Sequence, residues 1–347
     1  MRLEDLRTRL RELGAGPSHE RAVLRAWIHA RPLDHGPRPA KDFLPLRLRE
    51  GLPALARELA GLARSCLEET AADGSARVLV GLADGQSVEA VLLPRDGVCV
   101  STQAGCAVGC VFCMTGRQGL SRHLGSAEIV AQVALARARR AVRKVVFMGM
   151  GEPSHNLDEV MAAIEFLGTE GGIGHKNLVF STVGDRRVFE RLPRGPVKPA
   201  LAISLHSTRA SRREALMPHA ARIDPAEIVE AGERYARATG YPIQYQWTLL
   251  EGVNDGDEEM ERLAGLLAGK YAIMNLIAWN AVEGLPFRRP SAERMHAITR
   301  RLGELGVLAK VRDSAGQDVE GGCGQLRSRA IGLRETGSVL AAPPATA

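Results

Sequence analysis

No apolar run in the sequence approaches the roughly eighteen residues that a membrane-spanning helix requires. The opening segment MRLEDLRTRLRELG is charged, with no apolar core of a secretory leader. These two absences predict a soluble, cytoplasmic protein. Cysteine is scarce, with six in 347 residues. That is too few for a disulfide-built scaffold, and in a reducing compartment clustered cysteines more often bind metal or do chemistry. Nor is there any internal repeat beyond an alternation of strands and helices. What is present is an ordinary globular balance, 45% hydrophobic and 25% charged. The net charge of +6 comes mostly from arginine, which permits a polyanionic partner such as RNA without requiring one.

Residues 1–72 carry short amphipathic helical patterns. LEDLRTRLRELG is closed by Gly14, and SHERAVLRAWIHAR has Ser18 as its expected cap, with Val23, Leu24, Trp27 and Ile28 at helical spacing. A plain helical bundle accounts for this segment, and so does an arginine-studded RNA-contacting domain. Cys66, in LARSCLEET, reads as a buried and inert helix cysteine. The period then changes: ARVLVGLADGQSVEAVLLP is two strands around an Asp84-Gly85 turn, a β-hairpin extension over 73–98.

Over 99–330, apolar strands alternate with helices. VCVST, KVVFMGMG, NLVFSTVG, ALAISLHS, PIQYQWTLLEG and YAIMNLIAWN are separated by patterns such as SAEIVAQVALARARRA and PAEIVEAGERYARATG, with LAKVRDS as a further strand. Strands buried on both faces and joined by helices predict an α/β fold with a parallel sheet, an open or partial (β/α) barrel. Residues 331–347 are small and proline-rich, and are expected to be disordered.

Half of the cysteines fall within eight positions. STQAGCAVGCVFCMTG places Cys106, Cys110 and Cys113 at C-x3-C-x2-C, one thiolate short of a closed four-ligand site. Structural zinc wants four ligands, often as C-x2-C pairs. Here the first gap is three residues and nothing nearby completes a local knuckle, although Cys99 or Cys323 could in principle serve. Iron–sulfur clusters also take thiolates, and a 4Fe–4S cubane held by three cysteines keeps one iron free for a reactant.

This stretch, following the first strand and with Phe112 before its last cysteine, resembles the radical S-adenosylmethionine superfamily. The resemblance implies a partial (β/α)6 barrel, one 4Fe–4S cluster on Cys106, Cys110 and Cys113, and S-adenosylmethionine bound at the open iron. GMGEPSHN is similar to the superfamily's Gly-Gly-Glu motif, which puts Gly151 and Glu152 at the methionine amino group. The matching strand ends bring Ser181 in FSTVG, Ser204, Leu205 and His206 in ISLHS, and Asn280 in NLIAWN as further cofactor contacts.

Two more cysteines narrow the resemblance. Cys99 lies seven residues before Cys106, and Cys323 lies in DVEGGCGQLRSR after the last strand. Together with the motif order over residues 75–330, they resemble the RlmN/Cfr family of RNA adenosine methyltransferases, on the RlmN-like side. An adenine ring carbon is not nucleophilic and cannot attack a methylsulfonium. The resemblance therefore implies that a first S-adenosylmethionine methylates Cys323 and that a second is cleaved to activate that methyl group, two per turnover. Cys99 would then release the product through a transient disulfide with Cys323. Glu89, in EAVLLP, matches the proton acceptor, although a hairpin glutamate is ordinarily solvent-exposed.

Departures from the family pattern, including Ala278, Ala281 and STVGDRRVF, leave the cysteines intact but mark a divergent branch. The implied substrate is an adenosine of 23S rRNA, of tRNA, or of both, methylated at C2 in preference to C8. A flavodoxin-type reductase, a monomeric state and no membrane partner complete the expectation. Two rivals remain: a radical enzyme of the same mechanism acting on a substrate other than RNA, and a zinc-containing RNA-binding protein.

Overall fold

The computed structural model describes residues 1–36 and 38–329. The tail expected to be disordered lies outside the described residues. Four helices open the chain: α1 (Leu3–Glu12), α2 (Pro17–Ile28), α3 (Ala40–Phe43) and α4 (Leu46–Gly61). The cap of α2 is Gly16 rather than Ser18. Pro17 takes the first helical position, where its missing N–H costs nothing, and the Gly16 N–H donates to His19 Nδ1 at 3.1 Å.

These helices do not stand apart from the rest of the molecule. The Leu3 N–H donates to Ser126 Oγ at 2.9 Å, Arg137 Nη1 donates to Ile28 O at 3.2 Å, and Trp27 packs against Phe166 with ring centroids 6.2 Å apart. One continuous apolar core joins the helical segment to the barrel.

Strands β1 (Arg64–Thr70), β2 (Ala76–Gly81), β3 (Ser87–Leu93) and β4 (Gly97–Cys99) form an antiparallel meander. The β2–β3 turn is the expected one, with Gly85 at φ +84. Strand β1 is a correction to the helical reading of 1–72: helix ends at Gly61, and Cys66 is exposed on a strand rather than buried in a helix. Pairing with β2, from Arg64 opposite Gly81 to Thr70 opposite Ala76, outweighs local propensity. The strand's charged residues suit an exposed sheet edge.

The chain then runs β5 (Gln103–Gly105), α5 (Met114–Arg117), β6 (Leu120–His123), α6 (Ser126–Arg137), β7 (Lys144–Phe147), α7 (Leu157–Thr169), β8 (Leu178–Thr182), α8 (Arg186–Arg191) and β9 (Ala200–Ser204). It continues through α9 (Ala210–Leu216), α10 (Pro225–Thr239), β10 (Ile243–Leu249), α11 (Asp257–Leu267), β11 (Ala272–Ala278), α12 (Ala292–Glu304) and β12 (Ala309–Arg312). From β4 onward the large sheet is parallel, in the order β4-β7-β8-β9-β10-β11-β12, as the expected partial barrel requires. Its helices carry ordinary punctuation. In α10, Asp224 accepts the Ala226 N–H at 2.8 Å, Pro225 starts the helix, and Gly240 at φ +74 ends it.

The register decides which side chains share the barrel interior. Cys99 lies opposite Val146, Val146 opposite Val179, Ser181 opposite Ala202, Gln246 opposite Ser204, and Asn275 opposite both Gln246 and Lys310. Because side chains alternate across a strand, all of these project to one face. That inner face is polar towards the strand ends, where chemistry sits in such folds.

Candidate active site

Above those strand ends, a cavity of about 160 Å³ is lined by Cys106, Cys110, Cys113 and Cys323, by Gly151 and Glu152, and by Ser181, Ser204 and His206. Sequence reasoning placed all nine of these residues in one site. Leu205, the tenth, is fully buried beside the cavity and does not line it. Cys99, Glu89 and Asn280 are not part of the lining.

The cysteine loop is built for close approach. Gly109 has φ +67, and a side chain at Gly116 would meet the Cys110 backbone nitrogen at 2.8 Å. Trp279 Nε1 donates to Phe112 O at 3.0 Å, fixing the loop to the end of β11. Burial pushes the Cys106 thiol up to about 12 and the Cys110 thiol well above its usual range, and neighbouring thiols and Glu152 add to both effects. Cys113 is raised by burial and partly relieved by the Gly116 and Thr115 N–H groups. Three thiols that burial keeps from ionising suit a metal cluster that would hold them as thiolates. Among the described residues, no three His, Cys, Asp or Glu side chains are placed to hold a single ion. A cluster asks for something different, one thiolate per iron.

Glu152 follows β7 and is held on every side. Its Oε1 accepts the Ser154 N–H and its Oε2 the Val183 N–H, both at 3.0 Å, while its own N–H donates to Gln103 Oε1 at 2.7 Å. Gly151 has φ +102, and a Cβ there would lie 2.6 Å from Gln103 Cβ, so only glycine fits. His206 is likewise constrained, at φ +59, with its ring edge-on to Phe112 at 5.1 Å. Its Nδ1 accepts the Thr248 N–H at 3.0 Å, so Nε2 carries the proton. Burial, and then the Arg213 charge, lower its pKa to about 3.

Cys323 sits on a stapled loop. Asn280 Nδ2 donates to Cys323 O at 2.9 Å, the Met114 N–H to Gly324 O at 2.7 Å, and Thr115 Oγ1 to Leu326 O at 2.5 Å. The thiol itself is exposed, whereas Cys99 is buried. The Cys99 thiol is pushed up to about 12, mostly by burial and next by the charge of Cys323. Cys323 raises Cys113 in the same way. All six cysteines are free thiols, so the expected disulfide is no standing feature of the molecule. One partner is tucked on β4 and the other on an exposed loop.

Glu89 is not the solvent-exposed glutamate ordinary for a hairpin, being wholly buried on β3. Its carboxylate takes Arg77 Nη1, the Arg327 N–H at 2.9 Å and Arg329 Nε at 3.0 Å. Ser87 pins the same strap by accepting the Arg329 N–H at 3.1 Å and donating to Arg329 O at 2.6 Å. Sequence reasoning missed this arginine pairing, and it missed Gln246 and Arg213. Polar residues at alternate positions of β10 (Gln244, Gln246, Thr248) were the available hint for Gln246. Nothing in the run STRASRRE singled out Arg213.

Residues 100–264 match the model of the Radical SAM superfamily. A probable RNA methyltransferase from Aromatoleum aromaticum is 67% identical over 344 residues, covering 99% of this chain and 97% of its own length. One from Azoarcus sp. is 66% identical, with both chains covered in full. A crystal structure of a radical SAM methyltransferase from Sphaerobacter thermophilus superposes with a TM-score of 0.80 at 35% identity, over 94% of this chain and 98% of that one. Among the described residues, no helix is long and apolar enough to cross a membrane. With three cysteines, a Gly-Glu turn and a partial barrel in the expected places, the chain belongs to the radical S-adenosylmethionine superfamily, in the family of these probable RNA methyltransferases.

Proposed function

We propose that the protein methylates a ring carbon of an RNA adenosine, C2 in preference to C8, in 23S rRNA, tRNA or both. The observation that carries this reading is the place of Cys323, on the cavity wall with the cluster cysteines and within electrostatic reach of both Cys113 and Cys99. The names of the relatives supply the RNA. A plain electron-delivering site has no use for a further cysteine pair.

Cys106, Cys110 and Cys113 would hold one 4Fe–4S cluster, which when bound supplies the electron that splits S-adenosylmethionine. Glu152, Ser181, Ser204, His206 and Asn280 would bind and orient that cofactor, with a flavodoxin-type reductase as the electron source. Cys323 takes a methyl group from a first S-adenosylmethionine: its sulfur–carbon bond forms as the sulfonium–methyl bond breaks. The deoxyadenosyl fragment of a second S-adenosylmethionine would take a hydrogen atom from the S-methyl group, and that carbon would bond to the adenine ring. With the Arg327–Arg329 strap drawn away, Glu89 would accept the ring proton, and the one surplus electron would return to the cluster. Cys99 then attacks the Cys323 sulfur. The new S–S bond forms as the S–CH2 bond breaks, and the released electron pair takes up a proton to complete the methyl group. An external dithiol must reduce the disulfide before the next turnover.

The arginine-rich helical segment would hold RNA phosphates and make affinity salt-dependent. The protein would act as a cytoplasmic monomer. The test is nucleoside mass spectrometry of 23S rRNA fragments and tRNA after anaerobic incubation with reconstituted protein, dithionite and S-adenosylmethionine. Appearance of 2-methyladenosine supports the reading, and 8-methyladenosine moves the site of methylation. Cleavage of S-adenosylmethionine with no RNA product favours a substrate other than RNA.

A further inference from the structure

Arg213 has no part in the functional reading, and its surroundings are unusual. It lies on α9 with only 3% of its surface exposed. Its neighbours Arg209 and Arg212 pair with Glu259. Arg213 instead turns inward: Nη2 donates to the backbone oxygen of Val183, while buried Nε has no partner among the described residues. A guanidinium taken out of water with no carboxylate in hydrogen-bond contact is costly, so the position calls for negative charge beyond that of Glu152.

Its neighbours indicate where that charge belongs. Val183, which accepts from Arg213, also donates its N–H to Glu152 Oε2 at 3.0 Å. Arg213 and Glu152 therefore grip opposite sides of one residue. The helix is tied directly to the cysteine loop, because the Val111 N–H donates to Leu216 O and the His219 N–H donates to Val108 O, each at 3.1 Å. The Arg213 charge is opposed by Cys110 and Glu152 and is felt by His206, three groups that line the cavity. Burial lowers its pKa to about 10, which still leaves it charged at neutral pH.

We propose that Arg213 is a positioning residue with two tasks: it fixes Val183, and through it Glu152, and it holds a permanent positive charge behind the cysteine loop. That charge offsets the three thiolates gathered in front of it and favours the cluster's more negative, reduced form. The proposal rests on the reading of Cys106, Cys110 and Cys113 as cluster ligands. A merely structural arginine would serve to satisfy the Val183 carbonyl, and a neutral donor of similar reach would replace it.

The test compares wild type, Arg213→Gln and Arg213→Lys after anaerobic reconstitution. Cluster midpoint potential is followed by electron paramagnetic resonance, and S-adenosylmethionine affinity by calorimetry. Arg213→Gln is expected to shift the midpoint to more negative potential and to weaken S-adenosylmethionine binding at least tenfold. Arg213→Lys should restore the potential by keeping the charge, but not the affinity, because it cannot reproduce the Val183 contact. A folded Arg213→Gln protein with the wild-type midpoint overturns the proposal. Should that variant not fold, an Arg213→Lys midpoint displaced from wild type overturns it equally. Wild-type protein that retains no iron or sulfide would sink the cluster reading itself, a separate outcome.

Discussion

Replacing Glu89 tests its structural and chemical roles together. Its carboxylate is wholly buried and bonded to Arg77, the Arg327 N–H and Arg329. Arg77 is itself only 5% exposed and keeps Glu69 as its remaining carboxylate, so Glu89→Leu breaks one buried ion pair and leaves two further donors unmatched. Breaking a buried pair in this way costs about 3–5 kcal/mol. At about 1.4 °C per kcal/mol for a chain of this size, melting should fall by about 4–7 °C. Glu89→Gln keeps the shape and one acceptor oxygen and should lose about half as much. Differential scanning fluorimetry of the apo-proteins measures both. In turnover assays Glu89→Gln should still gain a methyl group on Cys323 by intact mass, yet yield no methylated nucleoside. A Glu89→Leu protein that melts within a degree of wild type would refute the buried-pair account. A fully active Glu89→Gln would refute the proton-acceptor role.

Cys99→Ala should still methylate Cys323 and join it to RNA but fail at release, so a covalent protein–RNA band accumulates on denaturing gels; free, unmodified RNA alone counts against the mechanism. Gly151→Ala forces a Cβ into Gln103 at a φ that alanine resists, and should raise the KM for S-adenosylmethionine at least tenfold in steady-state cleavage assays. His206 gives a pH dependence. Its folded pKa, about 3, lies below its ordinary 6.5, so the unfolded chain binds the proton first and stability declines as pH drops from 6.5 towards 3. Between pH 7.5 and 5 that costs apo-protein about 2 kcal/mol. Denaturant melts of His206→Asn, which tolerates the positive φ, should lack this component.

Most of the barrel was legible because its strands are short apolar runs bounded by glycine and separated by amphipathic helices. The Asp84-Gly85 turn likewise announced its hairpin. The edge strand β1 was not legible, because its residues lack an apolar alternation and it exists through pairing with β2. The site divides in the same way. Cys106, Cys110 and Cys113 advertise themselves by spacing, and Glu152 by its Gly-Glu-Pro turn. The arginines around Glu89 and the anchoring of Arg213 arise from contacts between distant segments, and side-chain periodicity carries no trace of them.

The strap that covers Glu89 has a consequence for the order in which the molecule is made. Arg329 follows Glu89 by 240 residues. At about 5–20 residues per second of synthesis, the carboxylate waits roughly 12–48 s for its second arginine. The first helix waits as well, because Leu3 hydrogen-bonds to Ser126, 123 residues on. Through that interval the nascent chain carries Cys106, Cys110, Cys113 and Cys99 without the Cys323 loop. That loop, among the last described residues to be made, completes the cavity wall.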